Sequence, residues 1–279
     1  MLRQGTAGCY GPDTMCTVLI LRHVHPEWPL VLAANRDELY ERPTLGPQLL
    51  PTSPRILVPG VDQARGGTWM GVTDAGFFVG LTNQRGGNAQ GPAPRSRGEV
   101  VLSALRAGNI EAIERYLDML DPSGFNPFNL LYGDAQALRV AYARQDQTRI
   151  LREDVPPGVH VLPNDVLDAP GLPKVARARM LAAEHVRKPW PLLARALQEV
   201  LADHHLPDEA QLPAPPPGAT YSGEQARQFQ ALCIHTPAYG TRSSTLLALD
   251  PGRVAHCQVS EKPPCQHSFQ DLKGPLSPP

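Results

Sequence analysis

Two runs of consecutive apolar residues, rather than a strict alternation of apolar and polar positions, lie near the start of this chain. The run TVLILRHV begins at Thr17, the run LVLAAN begins at Leu30, and the turn-forming stretch PEWP separates them. Both are typical of strands, and together they predict a β-hairpin. Because neither run offers a polar face to water, we expect each to lie in a sheet that is covered on both faces.

The middle of the chain combines short hairpins with an interrupted helix. The segment GGTWMGVTDAGFFVGLTNQRGG predicts two short strands joined by a turn at Asp74-Ala75-Gly76. In SRGEVVLSALRAGNIEAIERYLDML, apolar residues at steps of three and four predict a helix that breaks at Gly108-Asn109. FNLLYGDAQALRVAYAR predicts another hairpin, and GVHVLPND predicts a strand that runs into a turn.

The last part of the chain returns from helices to strands. Two amphipathic segments, GLPKVARARMLAAEHV and PLLARALQEVLADHHL, predict helices. The segment GTRSSTLLALDPGRVAHCQVSE then predicts a strand, an Asp-Pro-Gly turn and a second strand. Because hairpins dominate over β–α–β units, the pattern predicts an α+β fold of mainly antiparallel sheets. We place one domain at residues 15–262, between a disordered leader (residues 1–14) and a flexible proline-rich tail (residues 263–279).

Composition excludes several classes of protein. The chain has 279 residues and a net charge of −1, so no basic excess indicates binding to nucleic acid or to an anionic membrane surface. No apolar run reaches the ~20 residues of a transmembrane helix. The leader lacks the apolar core of a secretory signal.

Metal and cofactor sites are not expected either. The cysteines are far apart, odd in number and without a C-x-x-C motif: Cys9, Cys16, Cys233, Cys257 and Cys265. This argues against a disulfide framework and a cysteine zinc site, and it favours a cytoplasmic protein. The histidines show no H-x₃-H or H-E-x-x-H pattern, and the glycine-rich stretches lack a P-loop lysine, so we predict no metal and no cofactor.

Cys16 is the first candidate for chemistry. Met15 precedes it directly, and the predicted strand follows it directly. If the preceding residues are absent, Cys16 becomes an N-terminal residue that carries both a thiol nucleophile and an amine that can act as its base. The alternative is that Cys16 is only a small apolar residue entering a buried strand.

A polar cluster, Asn35-Arg36-Asp37-Glu38, follows the second apolar run. We expect it to leave the sheet at the end of the hairpin, close to Cys16. A guanidinium there would lower the pKa of the thiol, and a carboxylate could orient that guanidinium or the terminal ammonium. The alternative is a solvated turn.

Three more polar residues lie where predicted strands end or begin. Asn83 and Asn164 each follow a strand, and either amide could stabilise an oxyanion or merely form a turn. Arg242 enters the last strand pair and could be a simple edge arginine.

The motifs MCTVLI, LAANRDELYERP, GGTWMGV, GLTNQR, SRGEVV, NPFNLLYGD, HVLPND and YGTRSSTLLALD occur in this order. Because of these motifs, the chain resembles the NRDE family, also called the transport and Golgi organisation protein 2 family. The resemblance extends from about Met15 to about Glu261. That family resembles N-terminal-nucleophile (Ntn) hydrolases, so the resemblance implies a four-layer αββα sandwich. It also implies a nucleophile at Cys16, supporting roles for Arg36 and Asp37, oxyanion contacts from Asn83 and Asn164, and, as the weakest match, a role for Arg242.

Two functions are compatible with this resemblance. The first is a cysteine amidohydrolase that acts on a non-peptide amide of a small or acylated molecule, after loss of the residues before Cys16. The second is a non-catalytic carrier or trafficking protein that binds haem or an acyl lipid in the same cleft. The sequence predicts neither the substrate nor the oligomeric state.

Overall fold

A computed structural model describes residues 16–84, 95–215, 221–272 and 274–276. The predicted leader, residues 1–14, lies outside them. The strands are β1 (Thr17–Arg22), β2 (Leu30–Leu39), β3 (Thr44–Leu45), β4 (Gln48–Leu50), β5 (Ile56–Val58), β6 (Val61–Asp62), β7 (Met70–Thr73), β8 (Phe78–Asn83), β9 (Phe128–Gly133), β10 (Leu138–Ala143), β11 (Leu151–Asp154), β12 (Gly158–Leu162), β13 (Tyr239–Asp250), β14 (Arg253–Ser260) and β15 (Gln270–Asp271). The α-helices are α1 (Arg97–Ala107), α2 (Ile110–Asp118), α3 (Pro173–Ala183), α4 (Trp190–Leu201) and α5 (Gly223–Gln228).

Two large antiparallel sheets form the centre of the molecule. The first has six strands in the order β12-β1-β2-β13-β14-β15, and the second has seven in the order β11-β10-β9-β8-β7-β5-β4. A small ribbon of β3 and β6 accompanies them. The predicted hairpins β1–β2, β7–β8, β9–β10 and β13–β14 are all present.

Three apolar cores separate four layers. One core lies between the sheets and draws residues from both. A second joins α3 and α4 to the first sheet, and a third joins α1 and α2 to the second sheet. The chain is therefore a four-layer αββα sandwich, and the predicted α+β fold class is confirmed.

The apolar run of β1 is explained by these layers. Val18 and Ile20 pack into the core between the sheets, whereas Leu19 and Leu21 pack against the helices. A strand that is covered on both faces needs apolar residues at every position. The break predicted between α1 and α2 is present too, since Gly108 ends α1 with φ 65° and its N–H donates to the carbonyl of Ala104.

Two stretches differ from the sequence prediction. The cluster Asn35–Glu38 does not leave the sheet, because β13 pairs along it and keeps β2 extended to Leu39. Part of the predicted flexible tail also packs on the domain: Gln270–Asp271 pairs with β14, and Leu276 is buried in the core between the sheets. In the described residues, no helix is both long enough and apolar enough to cross a membrane.

Candidate functional site

Cys16 lies at the end of the first sheet, directly before β1. On one side β1 pairs with β2, with Thr17 opposite Asn35, and on the other side it pairs with β12, with Val18 opposite Leu162. Continued to Cys16, these registers lead to Arg36 on β2 and to Asn164 just beyond β12. Paired positions in antiparallel strands have Cα atoms about 5 Å apart. Sheet pairing therefore brings three of the predicted site residues together.

Cys16 opens onto a small cleft between the two sheets. Its walls come from β1, β2 and β13 of the first sheet and from β7 and β8 of the second. The lining is mostly apolar, and its residues are Cys16, Val18, Ala34, Asn35, Arg36, Trp69, Met70, Leu81, Ser243 and Thr245.

Arg36 places a buried cation beside the thiol. Its guanidinium carbon lies 4.1 Å from the ring centre of Trp69, and its Nη2 lies 3.7 Å from Oε2 of Glu38. Only 6% of the side chain is exposed. Burial lowers the pKa of the guanidinium, and the Glu38 carboxylate opposes that shift. Trp69 therefore holds the guanidinium of Arg36 by a cation–π contact.

The surroundings of Cys16 favour the protonated thiol. Burial, followed by the charge of Asp37, raises its pKa to about 12, although a backbone hydrogen bond from Asp37 and the charge of Arg36 lower it. The thiol also donates to the Asp37 carbonyl oxygen at 4.0 Å, which favours the protonated form. The charge of Arg36 acts in the predicted direction, towards the thiolate, but burial outweighs it. A nucleophilic attack by Cys16 requires a base that removes the thiol proton.

Asp37 faces away from the cleft because side chains alternate along β2. Its Oδ1 accepts a hydrogen bond of 2.5 Å from the hydroxyl of Thr241, and its Oδ2 is buried with no hydrogen-bond partner among the described residues. Burial raises the pKa of this carboxyl to about 7, while Lys174, Thr241 and Arg36 lower it. The contact that Asp37 makes with the thiol is through its main-chain oxygen, not through its carboxylate.

Asn164 presents a buried amide with unused hydrogen-bonding capacity. It is 1% exposed, and neither Oδ1 nor Nδ2 has a partner within the described part of the chain. Asn129 of the second sheet fixes its loop, since the Nδ2 of Asn129 donates to the carbonyls of Pro163 (3.2 Å) and Asp165 (2.8 Å). Asn164 is not among the residues that line the cleft, and only the register of β1 and β12 places it beside Cys16. Buried polar groups are almost always satisfied, so the unsatisfied amide is a candidate position for a ligand or water.

The remaining two predicted residues are less central. Asn83 is the last residue of β8. Side chains alternate along a strand, so Asn83 and Thr82 lie on opposite faces of the sheet. The hydroxyl of Thr82 donates to the carbonyl oxygen of Pro163 in the first sheet's loop. Arg242 lies at a bulge in β13 and its Nη1 donates to main-chain oxygens of the turn after β2, those of Leu39, Tyr40 and Arg42. Neither side chain lines the cleft.

Sequence reasoning missed Arg97. This residue begins α1, and its Nη1 lies 3.4 Å from the carbonyl oxygen of Pro127. Burial lowers the pKa of its guanidinium to about 10, and the charges of Glu38 and Cys16 oppose that shift. The only signal for it was the motif SRGEVV, which we interpreted as the start of a helix.

A second group of reactive side chains brings together cysteines and histidines that are far apart in sequence. His204, Cys233, His235 and Cys265 offer ligand atoms that all lie within 4.8 Å of one another. The four residues come from segments that are distant in sequence, so no short sequence motif predicts the group. None of the four lines the cleft.

Known proteins resemble this chain over most of its length. A family model described as Transport and Golgi organisation 2 matches residues 15–263. The Transport and Golgi organization protein 2 homolog of Bos taurus is 33% identical over 235 residues, which cover 79% of this chain and 82% of that protein. The homolog of Homo sapiens is 31% identical with the same coverage.

Among solved structures, similarity is low. A mutant of the conjugated bile acid hydrolase from Clostridium perfringens has a TM-score of 0.49 at 10% identity, covering 92% of this chain and 96% of that chain. A Caenorhabditis elegans ortholog of N-acylethanolamine-hydrolyzing acid amidase has a TM-score of 0.47 at 11% identity, covering 85% of this chain and 93% of that chain. Values below 0.5 are no evidence of a shared activity.

Proposed function

The chain belongs to the Transport and Golgi organisation 2 family, and on that premise we propose that it is an Ntn-type cysteine amidohydrolase. Its substrate class is a non-peptide amide of a small or acylated molecule. The observation that carries the proposal is the placement of Cys16 at the end of β1, in register with Arg36 on one side and Asn164 on the other. A thiol, a cation and an unsatisfied amide together are the groups that acyl transfer needs.

The nucleophile requires removal of the residues before Cys16. In the longer chain the nitrogen of Cys16 is a peptide amide, which cannot accept a proton. A free α-amine has a pKa near ~8 and is therefore a usable base at neutral pH. It supplies what the buried thiol lacks, since a thiol whose pKa is about 12 must lose its proton during the attack.

The reaction then proceeds in two balanced steps. The Cys16 sulfur forms a bond to the amide carbon while its proton passes to the α-amine, and the carbonyl oxygen becomes an oxyanion. Collapse breaks the C–N bond, and the departing nitrogen takes the proton. Water then attacks the thioester, with the α-amine as base, and the products are a carboxylic acid and the regenerated thiol.

The neighbouring residues have distinct roles in this proposal. The Nδ2 of Asn164 donates to the oxyanion, and Arg36 stabilises negative charge within the cleft. Asp37 acts here through its main-chain oxygen, which lies 4.0 Å from the Cys16 sulfur, while its carboxylate accepts a hydrogen bond from Thr241 on the other face of the sheet and fixes this end of β2. Val18 and Met70 give the cleft beside the thiol an apolar wall against which the acyl part of a substrate would lie.

The experiment compares three proteins: one translated from Met15, whose methionine is removed; its Cys16→Ala variant; and the full-length chain. The probe is a series of acyl amides of an aminocoumarin with increasing acyl length. We expect turnover only by the first protein. Equal turnover by the Cys16→Ala variant would show that another group is the nucleophile.

A second candidate is the carrier function, which the protonated thiol and the mostly apolar cleft favour. It predicts that a fatty acid or haem binds to the Met15-initiated protein and to its Cys16→Ala variant with the same affinity, and that no amide in the series is hydrolysed.

A further inference from the structure

Three segments of the chain meet at one point on the surface of the first sheet's helical side. His204 follows α4, Cys233 and His235 lie between α5 and β13, and Cys265 lies between β14 and β15. Cys233 is buried, whereas the other three side chains are exposed. The four ligand atoms therefore face a position that solvent can reach.

The distances among three of the four ligand atoms match those of a tetrahedral site, and all four atoms lie within 4.8 Å of one another. A zinc ion with Zn–S bonds of about 2.3 Å and Zn–N bonds of about 2.0–2.1 Å separates two sulfurs by about 3.8 Å and a sulfur from a nitrogen by about 3.6 Å. Here the sulfurs of Cys233 and Cys265 are 3.7 Å apart. The Nε2 of His235 lies 3.6 Å from the first sulfur and 3.3 Å from the second.

His204 is oriented as metal-ligating histidines usually are. Its Nδ1 lies 3.0 Å from the carbonyl oxygen of Cys233, so this nitrogen carries the proton and donates it. The Nε2 lone pair is then left for a metal, as in the backbone-anchored histidines of zinc sites. The ring of His204 lies 5.1 Å from that of His235, centroid to centroid.

The donor set suits a divalent ion such as Zn²⁺. Two cysteines bind as thiolates and two histidines as neutral imidazoles, so one divalent ion gives a site with no net charge.

We propose that His204, Cys233, His235 and Cys265 bind one Zn²⁺ in a closed, structural Cys₂His₂ site. Four protein ligands leave no open position for a substrate, so the role is structural. The ion fastens the loop after β14 to the segment that leads into β13. His204, Cys233 and His235 lie within the family match, and Cys265 lies just beyond its end at residue 263.

Hydrogen bonds connect this site to β2 near the cleft. The N–H of Ile234, between the two ligands of that segment, donates to the hydroxyl of Thr241, and that hydroxyl donates to Asp37. The amide of Asn35 donates to the carbonyls of Leu201 and Leu232 at 2.8 Å each. The zinc site therefore anchors the segment that positions Asp37.

The test uses the full chain, reduced under anaerobic conditions, freed of metal with a chelator and titrated with Co²⁺ as a spectroscopic substitute for Zn²⁺. We expect one equivalent to bind with the intense visible absorption of a tetrahedral ion and a thiolate-to-metal charge-transfer band. Zn²⁺ should displace Co²⁺ and raise the melting temperature.

Matched variants assign the ligands. Cys265→Ser should weaken the charge-transfer band, since one thiolate remains, and His235→Asn should keep that band but change the tetrahedral absorption. Each variant should bind Zn²⁺ at least ~100-fold more weakly, more than a change outside the ligand set usually costs. Cys257→Ala and His267→Asn, a cysteine and a histidine outside the group, should keep the wild-type spectrum and affinity. Circular dichroism of each variant checks that the fold is retained.

Three results would overturn the proposal. The first is a reduced wild-type protein that shows no tetrahedral Co²⁺ spectrum. The second is an unchanged spectrum in Cys265→Ser. The third is a Cys233–Cys265 disulfide, found by mass spectrometry in protein that was isolated anaerobically and never exposed to oxidant.

Discussion

The sulfur of Cys16 lies 4.0 Å from the main-chain oxygen of Asp37, while the carboxylate of the same residue is turned to the opposite face of the sheet. This relationship determines the chemistry of the cleft. The thiol is close to a carbonyl oxygen and in a buried environment, and burial keeps its proton on sulfur unless a base removes it.

The pH dependence of thiol alkylation follows directly. With a pKa of about 12, Cys16 in the full-length chain is ionised to only about 1 part in 10⁴ at pH 8, compared with about a quarter for a free cysteine thiol. We expect iodoacetamide labelling of Cys16, followed by mass spectrometry of its peptide, to accelerate about tenfold per pH unit up to pH 10. A plateau near pH 8.5 would contradict the assigned environment, and a reduced absolute rate without a change in profile would indicate only steric shielding.

Asp37 should make stability depend on pH. Its folded-state pKa, about 7, lies above the unfolded value near ~3.9, so the folded state holds the proton that the unfolded state has lost. The stability present below pH ~4 is therefore lost progressively up to pH ~7 and is constant above it, a loss on the order of a few kcal/mol. Asp37→Asn, which keeps an oxygen for the Thr241 hydroxyl, should remove that slope. Urea unfolding at pH 4.5 and 7.5 measures it, and parallel slopes for both proteins would contradict the assignment.

The contact between Arg36 and Trp69 should be energetically significant. A buried cation at 4.1 Å from an indole ring centre gains roughly 1–2 kcal/mol. A double-mutant cycle with Arg36→Gln and Trp69→Leu should give a coupling free energy of this size. As a control, the same cycle with Arg195→Gln, an exposed arginine, should give coupling within about 0.5 kcal/mol of zero.

Substitutions of Asn164 and Asn129 should affect different properties, the first the catalytic rate and the second the stability. Asn164→Ala removes an amide that makes no hydrogen bond within the described residues, so stability should change little while kcat falls by about 10²–10³. Asn129→Ala removes three hydrogen bonds and should lower the free energy of unfolding by about 2–3 kcal/mol. An Asn164→Ala variant that is strongly destabilised but fully active would reverse the assigned roles.

The strand pattern was predictable because burial on both faces of β1 and β2 leaves a clear apolar run. The extent of β2 was not, since polar Asn35–Glu38 stays extended only because β13, far along the chain, pairs with it. This error had a consequence for the site. A strand that continues to Leu39 places Arg36 and Asp37 on opposite faces, whereas a turn allows both to face Cys16.

Long-range contacts also explain why the sequence did not predict the grouping of His204, Cys233, His235 and Cys265. Cys233 and Cys265 are 32 residues apart, and His204 is 29 residues before Cys233. Short spacings such as C-x-x-C exist where one turn supplies two ligands. Here the segment after helix α4, the approach to β13 and the loop after β14 supply them, and only the packing of the first sheet brings those segments together.

The most direct test of the central claim is the mass of the acyl-enzyme. The protein that begins at Cys16 is mixed with an acyl amide of an aminocoumarin, quenched in acid within the first turnover and digested. The account predicts that the Cys16 peptide gains the mass of the acyl group, that hydroxylamine removes it, and that the full-length chain, whose Cys16 nitrogen is a peptide amide, gains none. An acyl group on another residue, or amide hydrolysis without any adduct on Cys16, would contradict it.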